Sequence, residues 1–319
     1  MLHPGGALAA GGPNATLAQA AWFVDGQPTA ARRRLHNELL AEHRERFAAA
    51  RAQRRAVVLA GPPGAGKSSV LRSILGEQLG DYAVIDADDF KRGLLERAIV
   101  DGSYEAVIKP AEVRDLEAAG ERFAPLELAS LVHEESSLLA RRARAGLIGE
   151  GVNVVLDTVL SGRASALDLG SHLQAAGYAV QVVDVETSYQ VSASRVESRW
   201  REVMREYMAH PQETDLGGRW VPSEYTRALF PPELDGGSVC EVVARDLAER
   251  CEAVERLDVF RVSDPAAAPT RERALVRRAP GGPLVDAAAA RGADLVRTVR
   301  PPTARVHRPG PERERGRER

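Results

Sequence analysis

Five short, nearly continuous Val/Ile/Leu runs separated by helical patterns predict an α/β fold, a doubly wound, mostly parallel five-stranded sheet with flanking helices. Runs that are apolar at every position are buried on both faces, the condition of a parallel sheet covered by helices. A third observation concerns where a ligand would sit. The first run ends in a Gly-rich turn that opens directly into a helix, and in such sheets ligands bind at the carboxyl ends of the strands.

Taken in order, residues 31–53 (ARRRLHNELLAEHRERFAAARAQ) have high helix propensity and place Leu35, Leu39, Leu40, His43 and Phe47 on one face. RAVVLAG at 55–61 is the first strand, and SSVLRSIL beyond the turn is helical. YAVIDAD at 82–88, VNVVLDT at 152–158, YAVQVVDVET at 178–187 and LDVFRVSD at 257–264 are the remaining strands. Helical patterns occupy 89–98, 111–119, 126–147, 163–176, 188–208 and 236–256, with a helical lid expected around the loop after 208. No internal repeat interrupts this alternation.

The ends read differently. Residues 1–30 are Gly/Ala-rich and expected to be flexible; residues 264–319, rich in Pro, Ala and Arg without a sustained apolar period, are expected to be a disordered tail. The body, 31–263, is the size of one well-buried domain. From Arg271 to Arg319 there are 13 Arg against 6 acidic residues, a surplus of +7, so with −2 overall the first 270 residues carry −9. A body that acidic binds a phosphate backbone poorly, which argues against nucleic acid as a partner. The N-terminus lacks a basic n-region with an apolar core, and no run of 18 apolar residues occurs, so a cytoplasmic protein with no membrane partner is expected. Cys240 and Cys251 fall eleven apart on one helical face, too far to bridge along it, and read as buried thiols of a reducing compartment.

Of 43 cationic residues only Lys67, Lys91 and Lys109 are lysines. Lysine differs from arginine as a compact ammonium suited to standing beside a phosphate. Lys67 lies in Gly61-Pro62-Pro63-Gly64-Ala65-Gly66-Lys67-Ser68, followed by Ser69, which satisfies GxxxxGK[ST] between a strand and a helix. Successive backbone N–H groups and a helix N-terminus make a concave donor site for phosphate oxygens, with glycines allowing close approach. Lys67 would reach the β and γ phosphates of ATP, and Ser68 would ligate Mg²⁺.

The second strand ends in Asp86-Ala87-Asp88-Asp89-Phe90-Lys91, three carboxylates at the ligand edge. Asp88 is placed to accept the proton of an attacking hydroxyl; the alternative is an acidic helix cap, for which Asp89 is the better placed. The third strand delivers Asp157, followed by Thr158, beside the Gly-rich turn as a Mg²⁺ or substrate contact, with a capping role as the alternative. Arg195 and Arg199 share a helical face and Arg219 stands in Gly217-Gly218-Arg219-Trp220-Val221-Pro222; arginines here suit a phosphoryl clamp or, as the alternative, surface ion pairs. His133 and Glu134 in HEESS open a long helix and are substrate-side candidates, as are Asp86, Lys91, Asp157 and Thr158; for His133 the alternative is the structural role usual for a lone helical histidine.

GPPGAGKSS at 61–69, VIDADDFK at 84–91, HEESS at 133–137, VVLDT at 154–158 and GGRWVP at 217–222, in this order, resemble the zeta toxin family over roughly residues 32–262. The resemblance implies a P-loop kinase that phosphorylates the 3′-hydroxyl of UDP-N-acetylglucosamine with ATP and Mg²⁺, and a small antitoxin protein as partner. It implies Lys67 as the P-loop lysine, Asp88 as catalytic base, Asp157 in the place of an acid that is usually Glu, and Arg219 and Arg199 as phosphate clamps, with Arg195 a substitute for Arg199. The chain departs from the family where Asp157-Thr158-Val159 replaces Glu-Gly-Thr and where DLGG lengthens the lid before Arg219. Two other readings are a kinase of a different hydroxyl acceptor, such as an antibiotic, a nucleoside or a polynucleotide 5′-end, and a non-catalytic ATP-dependent regulatory module. A guanine-selective switch is excluded, because no lysine follows an Asn.

Overall fold

The computed structural model describes residues 6–209 and 215–288. The elements run β1 (Phe23–Val24), β2 (Gln27–Pro28), α1 (Ala30–Arg46), β3 (Arg55–Ala60), α2 (Lys67–Leu75), β4 (Ala83–Asp86), α3 (Ala87–Val100), α4 (Ala111–Ala118), α5 (His133–Gly149) and β5 (Val154–Asp157). They continue with α6 (Arg163–Ala175), β6 (Ala179–Thr187), α7 (Tyr189–Ala209), α8 (Ser223–Ala228), α9 (Val239–Arg250), β7 (Val254–Val262), β8 (Thr270–Arg277) and β9 (Leu284–Asp286). The main sheet has the order β4-β5-β3-β6-β7-β8-β9. Its first five strands are parallel, as expected from their uninterrupted apolar runs.

Alternate residues of these strands feed two layers. Val58, Ala60, Val154, Leu156, Val180 and Val182 pack with Leu169 and Leu173 of α6 and Val243 and Leu247 of α9. Val57, Leu59, Val155, Val183 and Val185 pack under Val70, Leu71 and Leu75 of α2 on the other face. A separate apolar cluster joins α1, α3, α4, α5 and the 3-10 turns of Pro125–Val132. Burial on both faces is what aligns the strand tips at one edge.

Several expectations need correction. The sheet has seven strands, because residues 270–277 and 284–286, expected to be disordered, add two antiparallel strands beyond β7. β8 is mostly exposed at its start and half-buried at its end, so an edge strand with a solvated face carried no apolar period. Arg277 anchors it by donating to the carbonyls of Val254, Ala248 and Cys251, the last two at the end of α9. Residues 289–319 of the expected tail lie outside the described residues. At the other end, residues 6–29 are packed rather than loose. Leu8, Ala15, Thr16 and Phe23 are buried, and Asp25-Gly26, both with positive φ, turns the β1–β2 hairpin.

The first long helix stops at Arg46; of the expected face, Leu39 and His43 are buried and Leu35, Leu40 and Phe47 pack half-buried against the core, and Arg32 and His36 are buried besides. The expected helix 126–147 is a 3-10 run followed by α5. Cys240 and Cys251 are free and buried. No described helix is long and apolar enough to cross a membrane.

Candidate active site

The Gly-rich turn is shaped by its backbone. Gly61, Gly64 and Gly66 all have positive φ, and a Cβ on Gly61 would stand 2.1 Å from the Val185 carbonyl oxygen of β6. Only glycine tolerates both conditions. Gly66 precedes α2, so Lys67, Ser68 and Ser69 form the first turn, and the Ser69 and Val70 amides bond back to the Gly66 carbonyl. Ser68 and Ser69 are exposed at this mouth, Gly61, Pro62 and Ala65 are buried, and Pro63 and Gly64 are half-buried. Lys67 Nζ donates to the carbonyls of Gly61 at 2.9 Å and Pro62 at 3.4 Å. Burial pushes its pKa down, opposed by Asp157, Cys240, Asp86 and Glu186.

β4 and β5 end in register, Asp86 beside Asp157. Burial, then Asp157 and Asp89, push Asp86 up to about 7, against the pull of Arg219 and Lys91. Burial likewise raises Asp157, opposed chiefly by Lys67. The cap of α3 is Asp86, whose Oδ1 accepts from the Asp88 amide at 2.9 Å; neither Asp88 nor Asp89 caps it. The cap turns Asp88 away from that duty. Asp88 accepts from Lys91 Nζ at 2.9 Å and from Arg219, while Asp89 pairs at the surface with Arg46.

Asp88, Lys91, Arg199 and Arg219 line one cavity of about 170 Å³ with Arg92, Leu126, Trp200, Val203, Gly217 and Gly218. Its lid is held by small residues and rings. A Cβ on Gly217 would meet that of Ala124 at 2.2 Å, the Leu126 amide bonds to the Leu216 carbonyl, and Trp200 and Trp220 meet edge to face at 5.0 Å. The tryptophan pair fixes the backbones beside Arg199 and Arg219 together. Arg199 makes no hydrogen bond or ion pair among the described residues and lines the cavity.

Arg195 is used otherwise. Its guanidinium donates to the carbonyls of Gly64, Pro265, Asp264 and Ala267, strapping the Gly-rich turn to the loop between β7 and β8. Pro269 of that loop would stand 3.3 Å from a Cβ on Gly66. His133 is half-buried, its pKa pushed down by burial and then by Lys91. Glu134 is exposed and unpaired among the described residues, and Thr158 is half-buried beyond β5. The buried acid of HEESS is Glu135, which accepts from Arg32 and His36, both at 2.6 Å, and which sequence reasoning passed over. Its partners lie about a hundred residues away, and nothing local signals them.

The zeta toxin family model matches residues 38–97 and 106–259, more than half of the chain. The chain belongs to the zeta toxin family. Among solved structures, the fold is similar to the AvrRxo1-ORF1:ORF2 complex with ATP, at 19% identity and TM-score 0.54 over 89% of this chain and 76% of that one. The same complex with sulphate ions gives 17% identity and TM-score 0.54 over the same shares. The PezAT toxin–antitoxin system of Streptococcus pneumoniae gives 15% identity and TM-score 0.49 over 78% and 83%. No curated protein matches the sequence. Membership and fold make this zeta toxin relative a phosphotransferase of the P-loop kinase kind, with a nucleotide site.

The residues present fit a magnesium nucleotide. Gly61, Gly64 and Gly66, all at positive φ, bend the turn ahead of the α2 N-terminus, and hydroxyl and carboxylate oxygens, the donor set of a hard cation, come from Ser68 and Asp157.

Proposed function

We propose that the protein is an ATP- and Mg²⁺-dependent kinase that phosphorylates the 3′-hydroxyl of UDP-N-acetylglucosamine, with Asp88 as base. The observation that carries this reading is the Lys91–Asp88–Arg219 ion-pair chain lining a cavity at the strand edge that also bears the P-loop. Lys91 and Arg219 both reach the Asp88 carboxylate and hold it at the cavity wall. Lys67 and the loop amides hold the β and γ phosphates; Ser68 and Asp157 hold the metal, which supplies charge neutralisation on the phosphates.

Arg219 occupies Asp88 until a more highly charged anion is offered. Its transfer to the γ phosphate would free an Asp88 oxygen for the acceptor's hydroxyl proton, as the hydroxyl oxygen bonds to phosphorus and ADP leaves. Arg199, without another partner among the described residues, is the second phosphate clamp. Asp86, Lys91, His133, Glu134 and Thr158 stand on the acceptor side in this reading, which also places the protein in the cytoplasm with a small antitoxin as its partner. The Arg195 strap supports the loop rather than the phosphate.

The test is mass spectrometry of UDP-N-acetylglucosamine after incubation with protein and Mg-ATP, beside the Asp88→Asn variant. One added phosphate on the sugar nucleotide, absent with the variant, is the expected result. ATP consumed with the sugar nucleotide untouched would overturn the acceptor, and no turnover of either would overturn the kinase.

A further inference from the structure

β6 places Asp184 and Glu186 two residues apart, on the same face of a strand paired directly with the P-loop strand. Both are buried, at 1% and 0% exposure. Among the described residues, Asp184 Oδ1 and both Glu186 carboxyl oxygens find no hydrogen-bond partner when both groups are taken as ionised. Two naked carboxylates this close and this dry would be very costly. A carboxylic O–H is the donor that the pair can make for itself. The two side chains lie within hydrogen-bonding reach of one another, in the sense that favours the proton on Glu186 and the charge on Asp184.

The surroundings leave that charge poorly neutralised. From α9, Ser238, Cys240, Glu241 and Arg245 face the pair; from β7, Arg261 does; from the P-loop, Lys67 does. Arg261 is itself paired with Glu241 and Glu272, and Arg245 with Glu241. Burial, then Asp184, push Glu186 up to about 9, so the shared proton is still in place at neutral pH.

We propose that Asp184 and Glu186 share a single proton and thereby hold the charge beneath the P-loop at one negative unit, which sets how strongly the loop binds a nucleotide. The pair touches no phosphate and acts through Lys67 and the loop, as positioning residues. Loss of the proton would put a second negative charge under an anion-binding site in a low-dielectric setting. This rests on the reading of Gly61–Ser69 as a nucleotide site.

The test has two arms. Infrared spectra of the whole protein follow the carboxylic C=O stretch with pH; a band persisting at pH 8, lost by about pH 10.5 and absent from Glu186→Gln at both, is expected. Its absence from the unaltered protein at pH 8 would overturn the proposal. Calorimetric ATP binding by the unaltered protein and Glu186→Gln at pH 7 and 9.5 reads the consequence. The ratio of their dissociation constants should change about tenfold, the unaltered protein weakening more, because only it can acquire the second charge. Lys67 titrates in both proteins, and because an ionised Glu186 raises its pKa, that difference favours ATP binding by the unaltered protein and works against the expected change rather than producing it. A ratio independent of pH would overturn the proposal. If Glu186→Gln does not fold, the infrared titration of the unaltered protein decides; if neither protein binds ATP, the nucleotide reading fails while the infrared arm still decides the pair.

Discussion

Along the nucleotide wall, every group from Gly61 to Ser69 belongs to one unbroken stretch and is placed by backbone geometry. Along the wall that we assign to the acceptor, Asp88 and Lys91 come from α3 and Arg219 from the lid, and they are placed by charge. A backbone cradle changes little when a neighbouring side chain is altered, provided that its glycines and lysine remain. A wall assembled from ion pairs is coupled throughout, because removing one member leaves another charge without its partner. Lesions on the two walls should therefore differ in kind as well as in size.

The largest expected effect makes that separation. Asp88→Asn should lower phosphoryl transfer by a factor of about 10² to 10⁴ while leaving ATP binding nearly intact, because general-base assistance alone is lost. Lys67→Ala should weaken ATP binding together with the rate, since its ammonium serves ground state and transition state alike. Single-turnover rates beside calorimetric ATP binding read both. Parallel losses for Asp88→Asn would erase the distinction between the walls.

Stability, rather than rate, should register the next largest effect. Glu135→Ala strands Arg32 and His36 in the interior and should cost about 3 to 5 kcal/mol in denaturant unfolding. The hydrogen bonds from His36 and Arg32 outweigh burial and hold the Glu135 carboxyl down at about 2. A depressed carboxyl contributes stability that is complete above its ordinary range near 4.5 and is lost as pH falls toward 2. Unfolding between pH 5 and 2 should therefore show a steep acid limb that Glu135→Gln flattens. An unchanged limb would mean that the lock does not govern acid stability.

How far the two walls were legible in the sequence follows from their construction. GPPGAGKS carries its whole geometry in consecutive residues, and strands buried on both faces announce themselves as unbroken apolar runs. The acidic edge was visible, but the division of labour within it was not. Which of three neighbouring aspartates caps α3 depends on where the strand stops, and it stops at Asp86. Contacts between distant segments left no local trace, as with Arg32 and Glu135 or the Arg195 strap. Polar edge strands such as β8 were unreadable for the opposite reason: with little to bury, they need no periodicity.

Arg195 sharpens the comparison at a smaller scale, because it shares a helix with Arg199 yet serves the backbone wall. Arg195→Ala removes four charge-assisted donations to carbonyls and should cost about 2 kcal/mol of stability. At saturating ATP its rate should fall far less than that of Arg199→Ala, for which loss of a clamp predicts about 10². Equal rate losses would return Arg195 to the phosphate.

The smallest expected effect is the most local. Asp89 adjoins Asp88 in sequence, but its carboxylate meets Arg46 at 2.9 Å, with side chains 36% and 57% exposed. Solvent screens such a pair, so Asp89→Asn should alter stability by less than about 1 kcal/mol. Asp89 also helps to raise the pKa of Asp86, so the variant's Asp86 should ionise at slightly lower pH, a shift readable by ¹³C NMR of labelled aspartate. Transfer should stay within about twofold of the unaltered protein if Asp88 is the base. A loss at Asp89 as large as that at Asp88 would show that the acidic edge works as a shared field, and that the distinction drawn by the Asp86 cap between adjacent carboxylates has no chemical consequence.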